Sequence, residues 1–189
     1  MTDLTVRLAQ AADAAAVAAI YRPVVRDTVI SFEVGEIADE EMAARIDATV
    51  PARPWLVGER GGAVVGYAYA GAHNPRAAYA WSVDVSIFVA EGARGGGVAR
   101  RLYTALFDLL AEQGFVNVFA GISLPNAASV GLHASLGFAP VGVERRVGWK
   151  FDAWWDVGWW QRRLVEIPAP RALVPVSEIP DLVPRLLDG

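Results

Sequence analysis

Between Trp81 and Leu110 the apolar residues change their spacing, and nothing else in the chain constrains the fold as tightly. In "WSVDVSIFVAE" Val83, Val85, Ile87 and Val89 alternate with Asp84, Ser86 and Phe88, the period of a strand. From Val98 the residues Val98, Leu102, Leu106, Leu109 and Leu110 recur at the period of a helix, which Gly114 is placed to end. Only "GARGGG" connects the two, so a strand must turn sharply into a helix. A helical crossover of this kind favours a parallel strand on its far side.

The flanking segments extend the pattern. "LTVRLA" reads as a first strand, and "AADAAAVAAIYRPVV" as a helix with Asp13 placed to cap it and Val17, Ile20, Tyr21 and Val24 on one face. A second helix is expected from Asp39 to Thr49, where "DEE" suits the positive N-terminus. "PWLVGERGGAVVGYAYAGA" reads as a hairpin turning at Gly61-Gly62. "FVNVFAGI" is a strand, "NAASVGLHASLG" a short helix ended by Gly137, "FAPVGVERRVG" the start of a further strand and "DVGWWQRRLV" a final one. The predicted class is α/β, a mixed sheet flanked by helices, because the hairpin must be antiparallel. One domain over residues 1–167, followed by a proline-punctuated tail over 168–189 with little regular structure, is the expected organisation of the 189 residues.

Composition narrows the function classes. A net charge of -4 and a pI of 5.2 give no basic surplus for nucleic-acid phosphates. The absence of cysteine removes disulfides, thiolate metal sites and a cysteine nucleophile, so thiol chemistry would have to arrive with a second molecule; no metal site is expected. Charges at Asp3 and Arg7 interrupt the N-terminus, and no segment approaches the ~20 apolar residues that span a bilayer. A cytoplasmic protein with no membrane partner is the expectation. Lys150 is the sole lysine.

The glycine triplet of "EGARGGGVARRL" fits neither of two familiar phosphate-binding turns. A P-loop needs G-x-x-x-x-G-K-S/T, and neither the lysine nor the hydroxyl follows. A dinucleotide fingerprint needs G-x-G-x-x-G, and Arg100 stands at the third glycine position. Two readings remain open on the glycines alone: a plain turn, or bare backbone N–H groups at a helix N-terminus offered to an anion.

The surrounding segments favour the second. "RGGGVA" is similar to the pyrophosphate-binding signature R/Q-x-x-G-x-G/A of the GNAT N-acetyltransferase superfamily, with Arg94, Gly97 and Ala99 in the defining places. "SIFV" precedes it, and "PNAASVGLHASLGF" resembles the superfamily's later helix. "PWLVGE", "GYAYAG", "AYAWSVDVSIFV" and "GWKFDAWWDVGWWQRRL" resemble the phosphinothricin N-acetyltransferase branch, which includes methionine sulfoximine and methionine sulfone enzymes, from about Leu4 to Ile179.

The resemblance implies a GNAT fold, a homodimer, acetyl-CoA as co-substrate and a small amino-acid-like amine as acceptor. It implies that Ile87, Phe88 and Val89 line the pantetheine arm, and that Arg94, Gly95, Gly96, Gly97, Val98, Ala99, Arg100 and Asn126 hold the cofactor. Asp84 stands where the branch has glutamate and is assigned as general base, directly or through a water. His133 stands where many relatives place a proton-donating tyrosine. Phe32, Asn74, Pro75, Arg76, Val85 and Ser86, with Asp84, are the implied acceptor contacts; the Arg76 guanidinium suits a carboxylate or phosphinate. Each residue also has an ordinary reading: Asp84 solvated on a polar strand face, His133 structural, Asn126 an N-cap, the tryptophans core and interface. Two other functions stay open, transfer to a different small amine, and acyl-CoA sensing without catalysis, the latter suggested by aspartate at the glutamate position.

Overall fold

The computed structural model describes residues 4–180 and 182–187. Seven strands form one sheet in the order β1-β2-β3-β4-β5-β7-β6: β1 (Leu4–Leu8), β2 (Trp55–Arg60), β3 (Ala63–Ala72), β4 (Ser82–Val89), β5 (Asn117–Leu124), β6 (Ala139–Lys150) and β7 (Ala153–Arg163). The β4–β5 pair alone is parallel, joined by the crossover helix α3 (Val98–Gln113); every other adjacent pair is antiparallel. The mixed sheet is as the sequence implies. In the second crossover, through α4 (Ala127–Ser135), the strand that follows does not join β5, because β7 folds back between β5 and β6.

The sheet separates two cores. On one face α3 lays Leu102, Leu106, Leu109 and Leu110, all fully buried, over Ala68, Ala70, Val83 and Val85. Each such leucine contributes ~1.5–3 kcal/mol of burial. The approach is close at Gly66, where a Cβ would stand 3.1 Å from Val98 Cγ1. On the other face α1 (Ala14–Asp27) and α2 (Asp39–Thr49) cover Trp55, Val57 and Tyr67 with Val17, Ala18, Tyr21, Met42 and Ile46. Alternation along β4 thus sends Val83 and Val85 to α3, and Asp84 and Ser86 to the side of α1.

Three local expectations change. Asp13 stands at the N-cap of α1, as expected, but its side chain makes no cap bond: it ends a 3-10 turn (Ala11–Asp13), and its carboxylate accepts from Arg7 at 2.7 Å and from the Gln10 N–H at 2.8 Å. The strand marked by "DVGWWQRRLV" begins earlier, at Ala153, so that "WKFDAW" forms a tight β6–β7 turn with Phe151 and Asp152 at positive φ. In the proline-punctuated tail a 3-10 turn (Val176–Glu178) and a short α5 (Leu182–Leu187) carry Val176, Val183 and Leu187 into the α3 core. The hairpin does turn at Gly61 and Gly62, both at positive φ. Among the described residues no helix is long and apolar enough to cross a membrane, and no cluster of potential metal ligands occurs.

Candidate active site

β4 and β5 stay paired only from Ser82↔Asn117 to Asp84↔Phe119, whereas β4 remains paired with β3 through Val89. Beyond Asp84 the two parallel strands diverge. The wedge between them, with a cavity of about 100 Å³, is lined by Val85, Ser86, Ile87 and Phe88 from β4, Ala120 to Ser123 from β5, Asn126 at the N-cap of α4, and Ser129 and His133 within α4. Tyr103 of α3 and Ile30 of the α1–α2 loop complete it, so the opening joins both faces of the sheet.

At its outer end lies the glycine turn. Gly95 and Gly97 have φ of +74° and +78°, and a Cβ on either would meet nothing within 4 Å. Gly97 is the N-cap of α3, no side chain caps the helix, and the first helical bond is Arg101 N–H to Gly97 C=O at 3.0 Å. The N–H groups of Val98, Ala99 and Arg100 therefore have no acceptor within the helix, and the helix dipole adds to their pull on an anion. Arg94 and Arg100 flank the turn, Arg100 reaching the Ser135 hydroxyl at 2.9 Å. These residues fit a pyrophosphate.

His133, 3% exposed, closes the inner wall. Its Nδ1 lies 2.8 Å from the Ser129 carbonyl oxygen, which can only accept, so Nδ1 carries the proton and donates it. Nε2 then accepts from the Tyr103 hydroxyl at 3.1 Å. Burial holds the imidazole below its ordinary pKa and pushes the Tyr103 phenol up, so the pair is neutral. Asn126 caps α4, its side-chain oxygen accepting the Ser129 N–H at 3.0 Å, and faces the wedge as well.

Asp84 stands at the last paired rung, where the strands part. Burial raises its carboxyl above the usual carboxylate range, and a hydrogen bond from His73 pulls it down. His73 Nδ1 is 2.6 Å from Asp84 Oδ1. Tyr69, Gly71 and Ser86 share this side of the sheet, and Gly71, the cross-strand partner of Asp84, has open space where a Cβ would be.

A GNAT acetyltransferase domain model matches residues 6–159. The chain belongs to the GNAT acetyltransferase family. It is 39% identical over 175 residues to a phosphinothricin N-acetyltransferase of Streptomyces viridochromogenes, covering 92% of this chain and 95% of that one. It is 34% identical over 170 residues to an L-methionine sulfoximine/L-methionine sulfone acetyltransferase of Salmonella typhimurium, covering 89% and 99%. The crystal structure of a GNAT superfamily phosphinothricin acetyltransferase from Sinorhizobium meliloti, in complex with acetyl-CoA, superposes with a TM-score of 0.85 at 34% identity, covering 96% and 97%.

Within this GNAT fold only some of the residues singled out from sequence come together. Val85, Ser86, Ile87, Phe88, Asn126 and His133 gather round the wedge, with Asp84 at its fork. The Phe88 ring packs on Tyr21 and Tyr67, with centroids 4.9 and 5.2 Å away, which leaves chiefly its backbone toward β5. Val89 and Arg94 border a separate cleft of about 860 Å³ beside α1 that touches neither Asp84 nor His133. Asn74, Pro75 and Arg76 form an outer turn in which the Asn74 side chain accepts the Arg76 N–H at 3.0 Å.

Phe32 lies on β6: a Cβ at Gly148 would come 2.1 Å from its ring, so the bare backbone there is its seat. The loop around Phe32 is fastened by the sole lysine. Lys150, 6% exposed, donates to the carbonyls of Val25, Ser31 and Glu33 at 2.6, 2.7 and 3.0 Å. Tyr21 and Arg45 add bonds to Glu33 at 3.0, 2.9 and 2.8 Å.

Sequence reasoning passed over His73, Tyr103 and Lys150 as site residues. His73 directly precedes Asn74, Pro75 and Arg76, and its one signal in the sequence is that the chain has only two histidines. Tyr103 was hidden in an apolar helical stripe, where a phenol looks like packing.

Proposed function

We propose that this chain is an acetyl-CoA-dependent N-acetyltransferase for the amino group of a small amino-acid-like compound of the phosphinothricin, methionine sulfoximine or methionine sulfone type. The observation that carries the reading is the β4–β5 divergence, which begins at Asp84 and leads to the unpaired N–H groups of α3. A thioester threaded along β4 has its pyrophosphate at Gly95 to Arg100 and its pantetheine beside Ile87 and Val89. Its carbonyl then sits near the fork.

Asp84 supplies the basic end of the site, and the acceptor ammonium approaches it over Gly71, between Phe32 and the Asn74-Pro75-Arg76 turn. The Arg76 guanidinium, which forms no ion pair with any described residue, meets the acceptor's acidic group. The amine then attacks directly, with no acyl-enzyme, the protein holding the two reactants together. On the other side of the sheet the Tyr103–His133 pair faces the leaving thiolate. Because His133 has committed its one N–H to Ser129, the Tyr103 hydroxyl is the group of the pair that turns to deliver a proton, with His133 holding it in place.

The protein acts as a homodimer in the cytoplasm, where acetyl-CoA is available. Support for a second copy comes from β6 and β7, which expose Val141, Val143, Val147, Trp149, Phe151 and Trp154, each about half or more accessible. Sedimentation velocity reads the stoichiometry. For the activity, purified protein with acetyl-CoA should release CoA in the presence of at least one of the three acceptors; no release with any of them would remove the acceptor class.

A further inference from the structure

His73 is the first residue beyond β3, and Gly71, two residues earlier, is the partner of Asp84. Alternation brings the imidazole up on the Asp84 side. There the ring lies flat on Phe119, with centroids 4.1 Å apart and planes 14° apart, and Trp159 stands edge-on to it with centroids 6.2 Å apart. Stacking and the 2.6 Å bond to Asp84 together fix the ring, with Nδ1 on the carboxylate and Nε2 turned away from it. No described residue hydrogen-bonds Nε2. The His73 side chain is 23% exposed and that of Asp84 36%, so both open toward solvent. The other titratable groups nearby are Tyr79, 6.0 Å from the imidazole between ring centroids, and Tyr69, which senses Asp84.

We propose that His73 Nε2 is the immediate acceptor of the substrate's ammonium proton, and that Asp84 orients the ring through Nδ1–H and stabilises the imidazolium. The proposal rests on the acetyl-transfer reading above and assigns its base. A ring kept only for packing needs neither a carboxylate on one nitrogen nor an open second nitrogen. A neutral imidazole with a carboxylate on Nδ1–H and a free lone pair on Nε2 is oriented to take a proton from an ammonium at its open side. It also supplies the reach that an aspartate lacks.

An N–H bond of the ammonium breaks, its electron pair stays on nitrogen, and the proton goes to Nε2. That pair forms the C–N bond to the thioester carbonyl carbon. As C=O re-forms the C–S bond breaks; the thiolate takes one proton, and the nitrogen gives up its second. One proton leaves the site, from Nε2 to water.

The test compares wild type, H73A, H73Q and D84N for kcat, KM and acetyl-CoA Kd across a pH range, with phosphinothricin as the acceptor. Loss of a positioned base typically costs about 100-fold or more. H73A should therefore lose about 100-fold in kcat with acetyl-CoA Kd nearly unchanged, flatten the acidic limb of the pH profile, and regain activity on addition of free imidazole. H73Q, which fills the space, should not be rescued, and D84N should move the acidic limb. An H73A enzyme with wild-type kcat and an unchanged limb would overturn the proposal and leave Asp84 as the base.

Should wild type not turn over phosphinothricin, the acceptor assignment fails and nitrogen NMR judges the pair. The chain has two histidines, so one variant assigns both rings. The neutral His73 ring should carry its proton on Nδ1 in wild type and lose that preference in D84A, where no side-chain acceptor faces Nδ1. A proton on Nε2 in wild type would overturn the proposal.

Discussion

Two glycines of the triplet, Gly95 and Gly97, are held at positive φ, and Gly96 is not. A side chain in the left-handed region costs ~1–2 kcal/mol, more when β-branched. Gly97→Val should therefore weaken acetyl-CoA binding by about tenfold or more, since 1.4 kcal/mol is tenfold. Gly96→Ala, whose Cβ meets the mobile end of Arg60 at 3.3 Å, should leave the Kd within about threefold. Titration calorimetry separates the two, and equal effects would misplace the cradle. His133 gives a pH signature. Its native pKa lies below the ordinary value near ~6.5, so the stability it contributes is present above that pH and is lost as pH falls toward the native value. His133→Gln should flatten the dependence of the urea midpoint on pH in that interval; an unchanged slope would mean the ring is not the group protonated on unfolding.

At the scale of elements, the α1–α2 loop is held to the end of β6 by one ammonium on three carbonyls. Leaving buried acceptors unpaired costs ~1–3 kcal/mol each before relaxation. Lys150→Met should lower stability by about 2–4 kcal/mol. It should also raise the acceptor KM more than the acetyl-CoA KM, because Phe32 loses its support while the glycine turn is untouched. Equal changes in both would detach the loop from acceptor binding.

The elements themselves were readable because their signals are local: the period change at Val98, Gly61-Gly62, the Asp39 to Thr49 helix. The Asn126 cap and the strand-to-helix turn were readable for the same reason. His73 was not, since its meaning depends on a carboxylate eleven residues away and on Phe119 beyond a crossover. The Tyr103–His133 contact likewise joins two helices, and no spacing along the chain encodes it.

For the whole molecule, three residues of the segment after Leu164, Val176, Val183 and Leu187, belong to the core. Gln113 donates to the carbonyls of Ala52 and Val174, both at 2.8 Å, and Trp81 donates to Arg171 C=O at 2.7 Å, so residues 171–174 are tied to α3 and to the residue before β4. Val176 and Leu187 are 2% and 5% exposed. Val176→Ala with Leu187→Ala should cost about 3–6 kcal/mol in urea unfolding, as cavities under α3 do not refill. A loss under about 1 kcal/mol would make the segment dispensable.

The composition of the chain and the seat of Lys150 together bear on its chemical durability. A protein that handles an activated thioester risks stray modification of its own amines. Here the cationic surface is guanidinium, a poor nucleophile that stays protonated, and the one side-chain amine is shut inside the fold with its three donors engaged. The native protein should survive prolonged exposure to acetyl-CoA at alkaline pH without gaining an acetyl group on Lys150, whereas the urea-unfolded chain should gain one, a difference that intact-mass and peptide spectrometry would read directly.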